Sequence, residues 1–488
     1  MYDFIKGRSV FTTICGALFL LSANLFLNAQ PSDLIKSEFH QKESDSITVK
    51  TIHIVGNKKT KVNTILRELD FSPGDKLAIE RLPSILIENQ KRLESTILFT
   101  YAKFNISVWD ISSADIELEL TVREGWYIYP NIVFELADRN FNVWWKDENF
   151  SLSRVNYGLR LDHFNPTGNK DRLKVKLHTG YTNKAELKYN LPYIWGDWGM
   201  GGEIFYSDVK EIAGNTIGNK LNFYRNEIES VIFKRWRLGL SLNRRKSAFR
   251  KEVLHLYYWH NSVEDFVIKE INPNFFLNGN TVQSYPELYY EWTYDKRLFP
   301  FYAEGGYLLQ AGFQALGLGI SDDVNLLHIF AGGSYSHSFF DRLISTSFVK
   351  FRWNVFNKGI PYANNQALGY GTNFVRGFEL YVVDGTHYVL LKQAFSFRIF
   401  KNVFDYSRII PVKAFKIMPI QLYLRFSFES GYVVEKIYQE GNPLANRWHS
   451  GYGPAADLIL YQTFLLGFEY NFNDLGEEGF YLRFSMSF

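Results

Sequence analysis

Arg376 and Gly377 stand between apolar neighbours in the stretch GTNFVRGFELY. A guanidinium is a planar fork that grips a carboxylate at two points. Glycine lets the backbone turn tightly or lie close against a wall. The stretch therefore reads in two ways: a turn whose arginine is solvated, or a device that seeks an acid. In QLYLRFSFES, Leu422, Leu424, Phe426 and Phe428 alternate with Arg425, Ser427 and Glu429. A strand there turns Arg425 and Glu429 toward one polar face. An arginine buried without an acid is costly. Enzymatic chemistry has little to stand on. The chain has no G-x-S-x-G, G-x-x-x-x-G-K, H-E-x-x-H or C-x-x-C. Its ten histidines are scattered, without metal-ligand spacing. No cofactor is expected, and catalysis would need residues that meet only in space.

The elements that must position these residues are strands. Aromatics reach 17% of the 488 residues, charged residues 22%, and the net charge is only +3. Such a charge gives no global field for nucleic acid. Many aromatics, many charges and no long apolar run are expected of a transmembrane β-barrel, where lipid-facing and lumen-facing residues alternate. At the start, Lys6 and Arg8 precede an apolar stretch from Val10 to Leu27 and a small Ala29. Residues 1–29 read as a signal peptide, with a membrane anchor as the alternative. The only cysteine, Cys15, lies in that stretch, so the mature chain would have no disulfide or thiolate metal site. No later segment has ~18 consecutive apolar residues. A membrane-crossing part must then be a closed barrel with every backbone group paired.

Residues 30–46 are polar and read as a flexible linker. Residues 47–125 read as one small α/β domain. ITVKTIHIVGN alternates as a strand, and TKVNTILRELDF has helical spacing after Thr60, a possible cap. A second helix carries Ile79, Leu82, Leu86 and Leu93 on one face, with Pro83 near its first turn. YAKFNISVWD and ADIELELTVREG then alternate as two strands, giving the order β-α-α-β-β. From Trp126 to Phe488 short alternating strands recur between turn-rich segments such as NPTGNKD and IAGNTIGN. At ~9–11 residues per tilted strand plus loops, this length suits about sixteen strands. The last strand, FYLRFSMSF, ends on the aromatic Phe488, and its closure partner is expected near Ile132 to Leu136.

The β-α-α-β-β order, with VGN after the first strand and VREG closing the last, resembles a POTRA domain, the periplasmic module of outer-membrane assembly and translocation proteins. Further segments resemble BamA-type barrels. LDHFNPTGNKDRLKV carries Asp162 and Gly168, but Asn169-Lys170 where a second glycine is usual. AELKYNLPYIW has Leu191-Pro192-Tyr193 for Asn-Pro-Tyr, and YDKRLFPFYAEGGYLL has Asp295 and Arg297. Val375-Arg376-Gly377-Phe378 is similar to the superfamily's sixth-loop signature. The resemblance implies that Arg376 reaches into the lumen and pairs with an acid on the thirteenth strand. Glu429 stands there, before Ser430-Gly431, where the family has Asp-x-Gly. Arg425 could compete for it.

The resemblance also implies a function. A single-POTRA barrel of the BamA/TamA type would insert or translocate polypeptides at the outer membrane of a Gram-negative cell, without nucleotide hydrolysis. The domain's second strand, with Ala102, Phe104, Ile106 and Val108, would lie at a sheet edge and capture substrate strands by β-augmentation. Partners would be unfolded outer-membrane or secreted polypeptides, outer-membrane lipids and periplasmic lipoproteins or chaperones. The alternatives are a structural or lipid-scaffolding barrel, a diffusion pore favouring anions through Lys174, Lys176 and Arg425, and a barrel hydrolase.

Overall fold

The computed structural model describes residues 46–486, apart from 97, 111, 227–229, 248, 298–301, 303–304, 358, 410–416 and 462–463. The segment read as a signal peptide, nearly all of the linker, and Phe488 lie outside the described residues.

The first unit is a mixed sheet with helices on one side. Its elements are β1 (Ser46–Val55), α1 (Val62–Leu66), β2 (Lys76–Ala78), α2 (Leu82–Ser95), β3 (Phe99–Asp110) and β4 (Asp115–Glu124). The sheet order is β2-β1-β4-β3, with β1 and β4 parallel. Alternation explains the core. Ile116, Leu118, Leu120 and Val122 of β4 are buried with Ile47 and Val49 of β1, Ile65 of α1, and Leu82 and Leu93 of α2. Burying each such side chain stabilises by roughly 1.5–3 kcal/mol. The first helix is shorter than its spacing predicts. Past Pro73 the Gly74 N–H donates to the Val49 carbonyl at 2.7 Å, and the chain is drawn into β2 instead. Thr60 is not the cap of α1. Lys61 takes that position, and the Thr60 hydroxyl meets the Tyr127 hydroxyl at 3.0 Å.

The second unit is a sheet of sixteen strands ordered as in the chain, each antiparallel to the next. Its first strand is β5 (Ile128–Leu136). Its last five are β6 (His387–Asp405), β7 (Ile417–Val434), β8 (Trp448–Leu460), β9 (Phe464–Asn473) and β10 (Glu478–Met486). The strands between are named below by residue range. Along β7, Leu424 is 52% exposed while Arg425 and Glu429 are buried. A sheet in water buries the apolar side; this one turns it outward, as a lipid-facing sheet does. Among the described residues no helix is long and apolar enough to cross a membrane, which leaves any crossing to strands.

The two units meet at the turn around Gly168, and again where Arg67 lies over Tyr193. Gly168 accepts hydrogen bonds from the Lys61 N–H and the Thr64 hydroxyl, each at 3.0 Å. Asn165 donates to Thr60 at 2.9 Å, and Lys170 pairs with Glu68 at 2.7 Å. Glu124 accepts from the N–H groups of Lys59 and Thr60 at 3.0 and 2.6 Å. Burial pushes its carboxyl up, but these donated bonds outweigh burial and hold it below its ordinary value.

The ends of the large sheet are β5 and β10, and no ladder joins them among the described residues. The pairing expected between the last strand and Ile132–Leu136 is therefore not among the ladders. A short helix, α3 (Phe141–Lys146), meets β10 instead. Its N-terminus is capped by Asn140, whose side chain accepts from the Val143 N–H at 3.0 Å.

Candidate functional site

The segment between the short strands Gln366–Leu368 and Val383–Asp384 folds back over the polar face of β6 to β9. Val375 and Phe378 anchor it in a small apolar cluster with Leu368, Leu390 and Val433. Between the anchors, Arg376 turns into the sheet. Its guanidinium pairs with Glu429, and its Nε donates to Glu469 at 2.8 Å. Its backbone N–H also donates to Glu429, at 3.1 Å. Gly377 has φ +81°, and a Cβ there would stand 2.9 Å from the Phe472 carbonyl. Glycine is needed both for the turn and for the approach. A Cβ on Gly451 would run into the Arg376 carbonyl, and one on Gly431 would press on Val375.

The surrounding charges form one buried cluster. Lys392 of β6 reaches Glu429 at 3.1 Å. Arg425 of β7 is held by Asp457 of β8 at 2.7 Å and by Glu469 of β9 at 2.6 Å. Arg425 is thus engaged elsewhere, and Glu429 is left to Arg376 and Lys392. Arg483 of β10 lies 3.5 Å from Glu469. Beside them, Asn471 donates to Glu379 at 3.1 Å. Such a cluster adds little net stability against apolar packing of the same shape, yet losing one partner costs roughly 3–5 kcal/mol. It acts mainly to fix where the segment sits.

A second contact set links this segment to the sheet edge. Arg139 donates to the carbonyls of Gly369, Leu380 and Tyr381 at 2.9–3.0 Å, and Asn140 to that of Glu379 at 2.8 Å. Two residues on, Asn142 of α3 donates to the Leu482 carbonyl at 3.1 Å and accepts from the Leu482 N–H at 2.9 Å. One side-chain amide thereby makes on β10 the two bonds that a neighbouring strand would make. Phe141 packs on Phe484 and Trp145 on Phe480, with ring centroids 5.1 and 6.1 Å apart. Lys146 stands 4.0 Å over the Tyr481 ring.

A long antiparallel sheet behind a small α/β unit has solved counterparts. BamA from Haemophilus ducreyi lacking POTRA domains 1-3 superposes with a TM-score of 0.59 at 14% identity, over 90% of this chain and 85% of that one. CdiB from Acinetobacter baumannii superposes with a TM-score of 0.51 at 14% identity, over 91% and 74%. This chain has the fold of BamA. No protein-family model matches it, and no curated protein matches it by sequence.

On this BamA-type fold the other sequence-derived candidates fall into separate places. Asp162 is buried between Arg160 and Arg172, at 2.8 and 2.7 Å. Gly168 lies at the junction of the two units. Asp295 pairs with its near neighbour Arg297 at 2.8 Å. None of the three touches Arg376. The strand carrying Ala102, Phe104, Ile106 and Val108 is β3, an end strand of the small sheet. Only half of its edge is open. The N–H groups of Ala102 and Phe104 already donate to Glu94 and Gln90 of α2, each at 3.0 Å. Ile106 and Val108, 40% and 47% exposed, belong to the open half. At its end the exposed Asp110 is held near pKa 2 by hydrogen bonds from Ser112 and Ser113.

Sequence reasoning missed Lys392, Asp457 and Glu469. Each is a charged residue in the polar phase of an alternating strand, and that phase was their signal. It also missed α3. The only cue was Asn140, a good cap residue, before FNVWWK.

Proposed function

We propose that the chain is an outer-membrane protein of the BamA/TamA type that inserts or translocates polypeptides. Residues 1–29 would be its signal peptide and 47–125 a single periplasmic POTRA domain. Residues 126–488 would form the transmembrane barrel. The observation that carries this reading is the edge of β10, which among the described residues is covered by the Asn142 amide and a six-residue helix rather than by a strand. A backbone edge left bare in hydrocarbon costs several kcal/mol per unpaired group. An incoming strand that displaces α3 replaces the two Asn142 bonds in kind and adds a longer ladder. The exchange needs no nucleotide and no catalytic group.

Arg376 is the lumen lock in this reading. Its charge cluster seats the loop, and Arg139 and Asn140 carry that seating to α3. The open half of β3, from Ile106 to Asp110, receives substrate strands from the periplasm. The diffusion-pore alternative loses its motive, since the cations that suggested it are paired. Lys174 meets Glu186 at 3.0 Å, Lys176 meets Glu135 at 2.7 Å, and Arg425 meets Asp457 and Glu469.

Depleting the protein and assaying outer-membrane proteins for heat-modifiable folding, and culture supernatants for secreted polypeptides, tests the proposal. Loss of one of the two is expected. Unchanged folding together with unchanged secretion contradicts it.

A further inference from the structure

A cavity of about 680 Å³ lies between the small unit and the large sheet, at the end away from the Arg376 loop. Arg67, Arg92, Lys170 and Arg245 line it, against Glu68 and Asp197. Two of the cations are engaged, Lys170 with Glu68 and Arg92 with Asp70. Arg67 and Arg245 have no carboxylate partner among the described residues. Arg67 comes from the small unit and lies 5.5 Å over the ring of Tyr193, another lining residue. Arg245 comes from the end of the strand Phe233–Arg245.

That strand sets the height of the cavity. Trp236, Leu238, Leu240 and Leu242 point outward and are exposed, and register places them beside Tyr206, Ile204, Gly202 and Met200. The next outward residue, Arg244, is paired with Trp198 and lies 5.1 Å over its ring. Trp195, 79% exposed, shares that turn. An apolar band that ends in tryptophan and arginine marks the boundary of the hydrocarbon. Arg245 is one residue further, in the opposite phase at the strand's end, and lines the cavity there.

We propose that this cavity binds the phosphate of an anionic phospholipid. The headgroup would lie between Arg67 and Arg245 at the rim, and the acyl chains would turn over the rim onto the outward face at Leu242 and Met200. A guanidinium fork matches phosphate oxygens at two points. A headgroup held by both arginines ties the small unit to the sheet and to the inner leaflet. The inference rests on the membrane reading above but not on polypeptide transport.

The test uses the full chain, purified and folded as judged by heat-modifiable migration. Native mass spectrometry measures retention of phosphatidylglycerol against phosphatidylcholine, with inorganic phosphate as competitor. Wild type is expected to prefer phosphatidylglycerol, and Arg67→Gln and Arg245→Gln are each expected to reduce that preference about fivefold or more. Lys246→Gln, a nearby charge outside the lining, should leave it unchanged. Equal retention of both lipids by wild type overturns the proposal. So does an equal effect of all three variants, or full displacement of the lipid by millimolar phosphate, which would make the site one for a free anion. A transport defect with lipid preference intact would count against this site alone.

Discussion

β6 and β7 meet along a ladder that runs from His387 opposite Val434 to Asp405 opposite Ile417. At one margin of the same sheet, the outer edge of β10 holds α3 through one amide, opposite Leu482. The first contact spreads its strength over many bonds, each contributing roughly 0.5–1.5 kcal/mol net. The second concentrates it in two. On the proposed reading, that difference keeps the Arg376 region fixed and leaves the β10 edge replaceable. Arg139 and Asn140 join the two regions, so damage to the fixed one should reach the replaceable one.

The largest effect is expected from filling the space of Gly451. Gly451→Val drives a side chain into the Arg376 carbonyl, and overpacking of this kind costs roughly 1–3 kcal/mol before the lost ion pairs are added. The loop should unseat, and its backbone should become open to protease in the folded protein. Arg376→Ala leaves Glu429 and Glu469 with one cation fewer. A loss of about 3–5 kcal/mol is expected in urea unfolding, with impaired activity and surface expression largely retained. Arg376→Lys should recover only part, because an ammonium cannot reproduce the fork.

Asn142→Ala acts on the replaceable edge. It should cost about 1–3 kcal/mol locally and speed hydrogen exchange at the Leu482 amide. The amides of β6 and β7 should keep their protection. Equal acceleration in both regions would erase the contrast. The smallest effect concerns the junction of the two units. The Glu124 carboxyl sits below its ordinary value in the fold. Its contribution is therefore present above the unfolded carboxylate range and is lost as pH falls through the lowered folded value. Thermal scans from pH 7 down to pH 3 should show that loss in wild type and less of it in Glu124→Gln.

Part of this was legible in the sequence. Alternation in LYLRFSFES placed Glu429 on the polar face, and about sixteen strands followed from length. The partners Lys392, Asp457 and Glu469 were not legible. A lone charge in a strand's polar phase shows which way it points, while register decides whom it meets. α3 was hidden because six residues are too few for a helical period, and FNVWWK is as aromatic as the strands around it. The half-closed edge of β3 was hidden as well. Gln90 and Glu94 on α2 look like a solvated face until the fold brings them onto the N–H groups of Phe104 and Ala102. Thr60 misled for a related reason: a hydroxyl ahead of a helix suits a cap, but tertiary contacts with Tyr127 and Asn165 claimed it.

The central claim is that α3 must leave the edge of β10 for the protein to work. The chain's only cysteine is Cys15, so the pair Asn142→Cys and Leu482→Cys can be joined selectively by oxidation or a short thiol linker. Assembly of outer-membrane proteins and secretion would then be followed before and after joining, and again after reduction of the disulfide. The account predicts that activity is lost on joining and returns on reduction, while the folded protein remains in the membrane throughout. Full activity with α3 tied to β10 would contradict it.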